Sequence, residues 1–205
     1  GYRATGNASH LKIATNTLTH IRDHFTGQNG DLYRALYNGQ LNDIPAKGTD
    51  YATVCQAALD MHEATLDPKW LEFAHEMHTK MNLRLKNPET GFIVEYDGTG
   101  YPRDYPTYAY YTLYGIDNDN TWAIANSNAK RLSLRLADES LSEQADQLDG
   151  IMLRTAQISA PAAIDYLAHE STARSTRVYL KRPISEPLLA MARSKPCQLI
   201  AVSDS

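Results

Sequence analysis

Cysteine is nearly absent from this chain of 205 residues, which carries only Cys55 and Cys197. They lie far apart and lack Cys-x-x-Cys spacing, so there is no basis for a disulfide framework or a thiol-rich metal knuckle. Buried thiols in a reducing, cytoplasmic setting are the expectation. Long apolar runs are also missing; none approaches the roughly 20 residues a membrane helix needs. Basic residues cluster no further than Lys130-Arg131 and Lys181-Arg182, and the formal net charge is −4. Such a surface offers no track for phosphates, so neither nucleic acid nor a membrane is an expected partner. There is no Gly-x-Ser-x-Gly elbow and no His-Glu-x-x-His pattern. Phenylalanine is scarce, at 3, whereas tyrosine reaches 13.

What the chain does have is repetition. Ala4-Thr5-Gly6-Asn7, followed by Leu11 and Ala14, recurs about sixty positions on as Ala64-Thr65-Leu66-Asp67, followed by Leu71 and Ala74. Asp31–Gly39 is echoed by Thr90–Gly98. A looser third copy begins at Leu136-Ala137-Asp138-Glu139, with Leu141 and Ala145 after it. Repeats of this period mean stacked supersecondary units, none able to bury its apolar face alone.

Apolar residues at three- and four-residue steps predict helices near Ser9–Phe25, Asp50–Thr65, Asp67–Leu85, Asn120–Ala137 and Ser140–Ile158. Asp67-Pro68 is a helix start, with aspartate as N-cap and proline at the first helical position. Leu32–Tyr37 and Phe92–Tyr96 read as short β-like pieces closed by Asn38-Gly39 and Asp97-Gly98 turns. After about Thr176 the pattern changes. Arg177–Leu180 and Gln198–Val202 read as strands around a helix at Pro187–Arg193, a small β-α-β unit with its strands parallel. No glycine-rich loop follows its first strand, so no nucleotide is expected there.

The fold class expected is mainly α: a partial (α/α) toroid of helical hairpins, residues 1–175, with a small α/β tail at 176–205. The repeats fall near 1–65, 66–137 and 138–170. Three hairpins are half of a six-pair ring. The chain is therefore expected to be part of a longer parent, or to be completed by a second copy.

Asp31-Leu32-Tyr33-Arg34, Thr49-Asp50-Tyr51-Ala52, Leu59-Asp60-Met61-His62-Glu63-Ala64-Thr65 and Trp70-Leu71 together resemble the thioredoxin-fused toroid family, which includes spermatogenesis-associated protein 20. The resemblance covers nearly all of the chain and is best from Gly1 to Gly98. It implies a toroid similar to six-hairpin glycosidases and N-acylglucosamine 2-epimerases, with a thioredoxin-like domain elsewhere in the parent. Where that family has an Asp-Asn-x-x-Pro-Ser-Gly-Asn-like stretch, this chain has Asp119-Asn120-Thr121-Trp122-Ala123-Ile124-Ala125-Asn126. Asp119, Asn120 and Asn126 match it, and the Pro-Ser-Gly turn does not. Two acids usually precede the tyrosine in the family; here they are Thr49-Asp50.

Candidate chemistry gathers where two inner helices begin. Asp50 and Asp119 stand at equivalent points of successive repeats, as an acid/base pair if a sugar is bound, or as two N-caps. Tyr51, Asn120, Trp122 and Asn126 are the pocket candidates beside them. The connection ahead of Asp119 adds Tyr101, Arg103, Asp104 and Tyr105, aromatic faces and charges of the kind that hold sugar rings. His62 is a proton-transfer candidate, because the resemblance implies epimerase-type histidines. His75 and His78 read as residues of a solvated outer helix face. His20 and His24 share a helix face, but no third ligand is evident, so no metal and no cofactor are expected. Two functions fit: a binding or scaffold module, or a carbohydrate-processing enzyme using paired carboxylates.

Overall fold

In the computed structural model, the apolar stripes become helices whose ends are set by identifiable side chains. The structure describes residues 2–88, 93–95, 119–156, 176–181, 184–185, 187–188 and 197–202. The elements among them are α1 (Tyr2–Thr5), α2 (Ala8–His24), β1 (Leu36–Tyr37), β2 (Gln40–Leu41), α3 (Gly48–Thr65), α4 (Pro68–Leu85), α5 (Asp119–Leu136), α6 (Glu139–Ala156), β3 (Thr176–Lys181) and β4 (Cys197–Val202). The chain is mainly helical; α2 to α6 lie within two residues of the ranges the apolar spacing predicts, and the short α1 has no counterpart among them.

The repeat is visible as one junction built three times. Gly6, Leu66 and Ala137 adopt left-handed backbone, with φ of 66°, 56° and 51°. The next residue in each case caps a helix. Asn7 accepts from the Ser9 N–H, Asp67 from the Lys69 N–H and Asp138 from the Ser140 N–H. A left-handed residue followed by an N-cap turns the chain back in two residues, so α3 and α4 form one antiparallel hairpin and α5 and α6 another. A second element recurs as well. The Tyr33 N–H donates to Phe25, and the Val94 N–H donates to Leu85, so the segment after each hairpin's helix folds back on its last turn. These pairs put Leu32 opposite Ile93, a spacing of 61, whereas matching the Asn38-Gly39 and Asp97-Gly98 turns gives 59. The backbone register therefore differs by two residues from the one the turn dipeptides suggest.

Around Asn38-Gly39, with φ of 50° and 77°, β1 and β2 pair as a tight antiparallel hairpin. β2 occupies residues the sequence pattern leaves as polar connection. In the tail, β3 and β4 pair in parallel from Thr176–Cys197 to Lys181–Val202, as expected. Of the helix expected between them only Pro187 and Leu188 are described, both helical.

Burial separates the helices into two kinds. α2 and α4 bury one face: Leu18 on α2, and Trp70, Phe73, Ala74, Met77, Met81 and Leu85 at helical steps on α4. In α5, Ala123 through Ala129 are seven consecutive buried residues, so two turns have no solvent side. α3 is buried over most of its surface, with Tyr51, Ala52, Cys55, Ala58 and Leu59 all fully buried, and keeps Thr53, Ala57 and Asp60 as an exposed edge. Burial pushes the Cys55 thiol up to about 12, so the thiol is inert at neutral pH.

α3 and α5 lie side by side and run parallel. Their contacts climb in step: Thr49 to Thr121 at the start, the Asn128 amide to the Ala52 carbonyl at 2.8 Å, then Arg131 to Glu63 at 2.9 Å near the end. Arg131 is 1% exposed and reaches Asp60 at 2.6 Å as well; Glu63 also takes the Arg135 guanidinium at 2.5 Å. Burial opposes the Arg131 charge, but Glu63 and Asp60 outweigh it and hold the guanidinium protonated more firmly than usual. Its Nε and Nη1 have no hydrogen-bond partner in this packed seam.

His78 does not face solvent as its spacing suggests. It is 1% exposed, and its Nε2 bonds the Gln144 side chain on α6 at 3.1 Å. Gln144 donates in turn to Asn82 at 2.6 Å, closing a polar bridge between α4 and α6. Burial lowers the His78 pKa to about 4.

Three outcomes are expected from this packing. Ala137→Gly relieves left-handed strain at an exposed position and should raise stability by about 0.5–1 kcal/mol in urea unfolding, while Gly6→Ala should lower it by a similar amount. Arg131→Met leaves Glu63 with half its compensation and should cost about 3–5 kcal/mol by the same measurement. The unfolded chain takes up a proton on His78 near its ordinary value of about 6.5 and the native chain does not until about 4, so stability should fall as pH drops through that window and level off below it. The loss should be on the order of 3 kcal/mol, offset in part by Glu95, whose raised pKa acts in the opposite sense. His78→Gln should flatten the dependence of the urea midpoint on pH.

Candidate functional site

The parallel seam brings the first turns of α3 and α5 together, and the segment 93–95 crosses them. It can do so because residue 48 is glycine. A Cβ there would stand 2.9 Å from the Val94 carbonyl oxygen and 3.0 Å from the Ile93 side chain. The Gly48 N–H donates to the Glu95 carbonyl at 3.3 Å. Glu95 is thereby set over both helix starts, where unpaired N–H groups and the positive ends of two helix dipoles converge.

Its Oε1 accepts from the Thr49 N–H at 3.1 Å, the Thr49 hydroxyl at 2.7 Å and the Thr121 hydroxyl at 3.0 Å. The two hydroxyl oxygens are themselves 2.5 Å apart. Two hydroxyl protons thus serve three oxygen–oxygen contacts, so no more than two of the three are hydrogen bonds at one time. Burial pushes the Glu95 pKa above the usual carboxylate range, and the Thr49 and Thr121 hydrogen bonds only partly counter it. Oε2 has no hydrogen-bond partner among the described residues. One oxygen is anchored and the other is unengaged, on a carboxyl that favours holding a proton. That is the arrangement a proton donor requires.

Asp50 lies beside this group but does different work. It stands in the first turn of α3, not at the N-cap, which is Lys47. Its Oδ2 accepts the Lys47 N–H at 2.8 Å and pairs with the Arg34 Nε at 2.9 Å. The repeat explains the contrast. Arg34 and Glu95 are equivalent by the spacing of 61, and Asp50 and Thr121 by the 71 that separates the Leu66 and Ala137 junctions. In one copy the loop supplies the cation and the helix the carboxylate; in the next, the loop supplies the carboxylate and the helix a hydroxyl.

The other predicted residues scatter. Tyr51 is fully buried, and its hydroxyl accepts the Leu32 N–H at 2.9 Å, so it clamps the loop to α3 and offers nothing to a ligand. His62 is twelve residues from Asp50 along α3, roughly 18 Å at the helical rise, so the two do not share a site. Its Nδ1 lies 3.1 Å from the Asp67 carbonyl oxygen, tying α3 to the turn that follows. Asn126 is buried and donates to Asp149 on α6, which Lys130 also holds at 2.7 Å. Asp119, Asn120 and Trp122 are placed by their backbone in the first turn of α5, and their side chains lie outside the described residues. Tyr101, Arg103, Asp104 and Tyr105 lie outside them altogether.

No protein-family model matches this chain, and no curated protein matches it as a relative. The reading of the site therefore rests on its chemistry. Among the described residues, no group of three or more His, Cys, Asp or Glu side chains is placed to hold a metal ion, and no helix is long and apolar enough to cross a membrane.

Glu95 went unselected by sequence reasoning, although it lies within the echoed segment Thr90–Gly98. Aligned by their turns, Glu95 falls opposite Leu36; aligned by the backbone, it falls opposite Arg34, the partner of Asp50. A charge exchanged at equivalent repeat positions is the signal that finds it. Carboxyl titration followed by NMR should place Glu95 above an ordinary glutamate, and Thr121→Val, which deletes a donor to the ionised form, should raise it further.

Proposed function

We propose that this chain is a helical-hairpin binding or scaffold module, part of a toroid in a thioredoxin-fused protein. One observation carries this reading: the described residues nominated for catalysis spend their polar atoms on the fold. Asp50 closes the first turn of α3 and pairs with Arg34, and His62 ties α3 to the turn at Asp67. The alternation of the more deeply buried helices (α3, α5) with one-faced helices (α2, α4) supports the inner and outer layers of such a ring. A module of this kind works by presenting the rim where α3 and α5 begin.

A second reading has its own observation in its favour. Glu95 is a buried, proton-favouring carboxyl at that rim, and its Oε2 has no hydrogen-bond partner among the described residues. In a carbohydrate-processing enzyme it would be the proton donor, in place of Asp50. A ligand hydroxyl or glycosidic oxygen would meet Oε2 while Thr49 and Thr121 hold Oε1.

Incubation with N-acetylglucosamine, N-acetylmannosamine and a set of nitrophenyl glycosides, followed by NMR, separates the two. The module reading expects no product from any of them. Turnover that survives Asp50→Asn and disappears in Glu95→Gln would overturn it and establish the enzyme.

A further inference from the structure

We propose that His20 and His24 on α2 form a two-ligand site for a tetragonal divalent transition metal, copper(II) above all. The two residues are four apart near the end of a helix, so their side chains share a face. Their ring centroids are 4.6 Å apart, with the rings tilted by 47°. Both side chains are exposed, and neither ring has a hydrogen-bond partner among the described residues.

Distance favours one coordination geometry over another. A metal–imidazole bond of about 2.0–2.1 Å puts a ring centroid about 3.2 Å from the ion. Two rings on one ion then have centroids about 4.5 Å apart at a right angle and about 5.2 Å apart at a tetrahedral angle. The separation of 4.6 Å matches adjacent corners of a square. Zinc in tetrahedral coordination would have to push the rings apart, whereas copper(II) and nickel(II) take the right angle, and copper(II) binds nitrogen ligands most tightly of the series. Water fills the remaining corners, since no third ligand stands beside the pair among the described residues.

The helix holds the pair ready. Leu18, Ile21 and Phe25 bury the opposite side of the same turns. The Phe25 N–H closes the helix on Ile21 at 2.9 Å, and the Tyr33 N–H fastens Phe25 in turn. The Phe25 ring meets the edge of His20 at 5.8 Å and limits that imidazole from one side. Little ordering is left to accomplish when an ion arrives.

The other described histidines are poor competitors. His10 is engaged by the Thr5 hydroxyl, His62 is buried with its Nδ1 3.1 Å from the Asp67 carbonyl oxygen, and His78 is buried against Gln144, which leaves His75. Copper(II) alone is the probe, added to untagged protein at about pH 7.5, where ordinary imidazoles are neutral. Electron paramagnetic resonance should show two equatorial nitrogens, and calorimetry should show tightest binding at a single site. The His20→Asn/His24→Asn variant should lose the two-nitrogen signal and bind at least about tenfold more weakly, while His10→Asn and His75→Asn bind as the parent does. Its metal-free melting temperature should be unchanged, because both side chains are exposed. Retention of the parent's affinity and spectrum by the double variant, or a single-nitrogen spectrum in the parent, would overturn the site.

Discussion

Two helices packed in parallel place their N-termini at one spot and their C-termini at another, and α3 and α5 do this in the middle of the structure. Parallel neighbours cannot be joined by a short turn, so the chain must return between them, and α4 is that return. Hairpin alternation, the deep burial of the facing sides of α3 and α5 and the position of the candidate site all follow. The arrangement also sets two electrostatic problems, because like ends of two helix dipoles lie together. At one end, Glu95 sits over the converging N–H groups and bonds Thr49 and Thr121. At the other, Arg131 and Arg135 share Glu63, and Arg135 also donates to the Arg131 carbonyl at 2.7 Å.

The pair of equivalent positions at the rim shows how a repeat diverges without changing its backbone. Arg34 with Asp50 is a partly exposed ion pair, of a kind that contributes little to stability. Glu95 with Thr121 occupies the same geometry in the next copy but is buried, and burial converts a bland surface contact into a carboxyl that favours its proton. The same backbone thus holds a closed pair in one place and a group with unspent chemistry in the other.

Much of the fold is legible in the sequence because it depends on local rules. The apolar stripe of α4, the Asp67-Pro68 start, the Asn38-Gly39 turn and the parallel strands of the tail are all encoded within a few residues of where they act. The errors have a common origin. His78 looks solvent-facing because it shares α4 with His75, Glu72 and Glu76, yet α6 covers it, and a neighbour more than sixty residues away leaves no mark on local spacing. Tyr51 looks like pocket lining because tyrosine suits ligands, but its hydroxyl is spent on a loop amide. The site is less legible than the fold for the same reason: Asp50 and His62 are sensible residue types whose partners only the packing supplies.

By itself the sequence determined the five long helices, their order and the mainly helical class, since periodicity and capping side chains act over one or two turns. Only the tertiary structure decided which carboxylate matters. Glu95 acquires its character from Gly48, Thr49 and Thr121, the last of which arrives on another helix, and from the water that packing removes around it. Desolvation and hydrogen-bond partners are properties of a place in space, and two residues 26 apart in sequence share one only after the chain has folded.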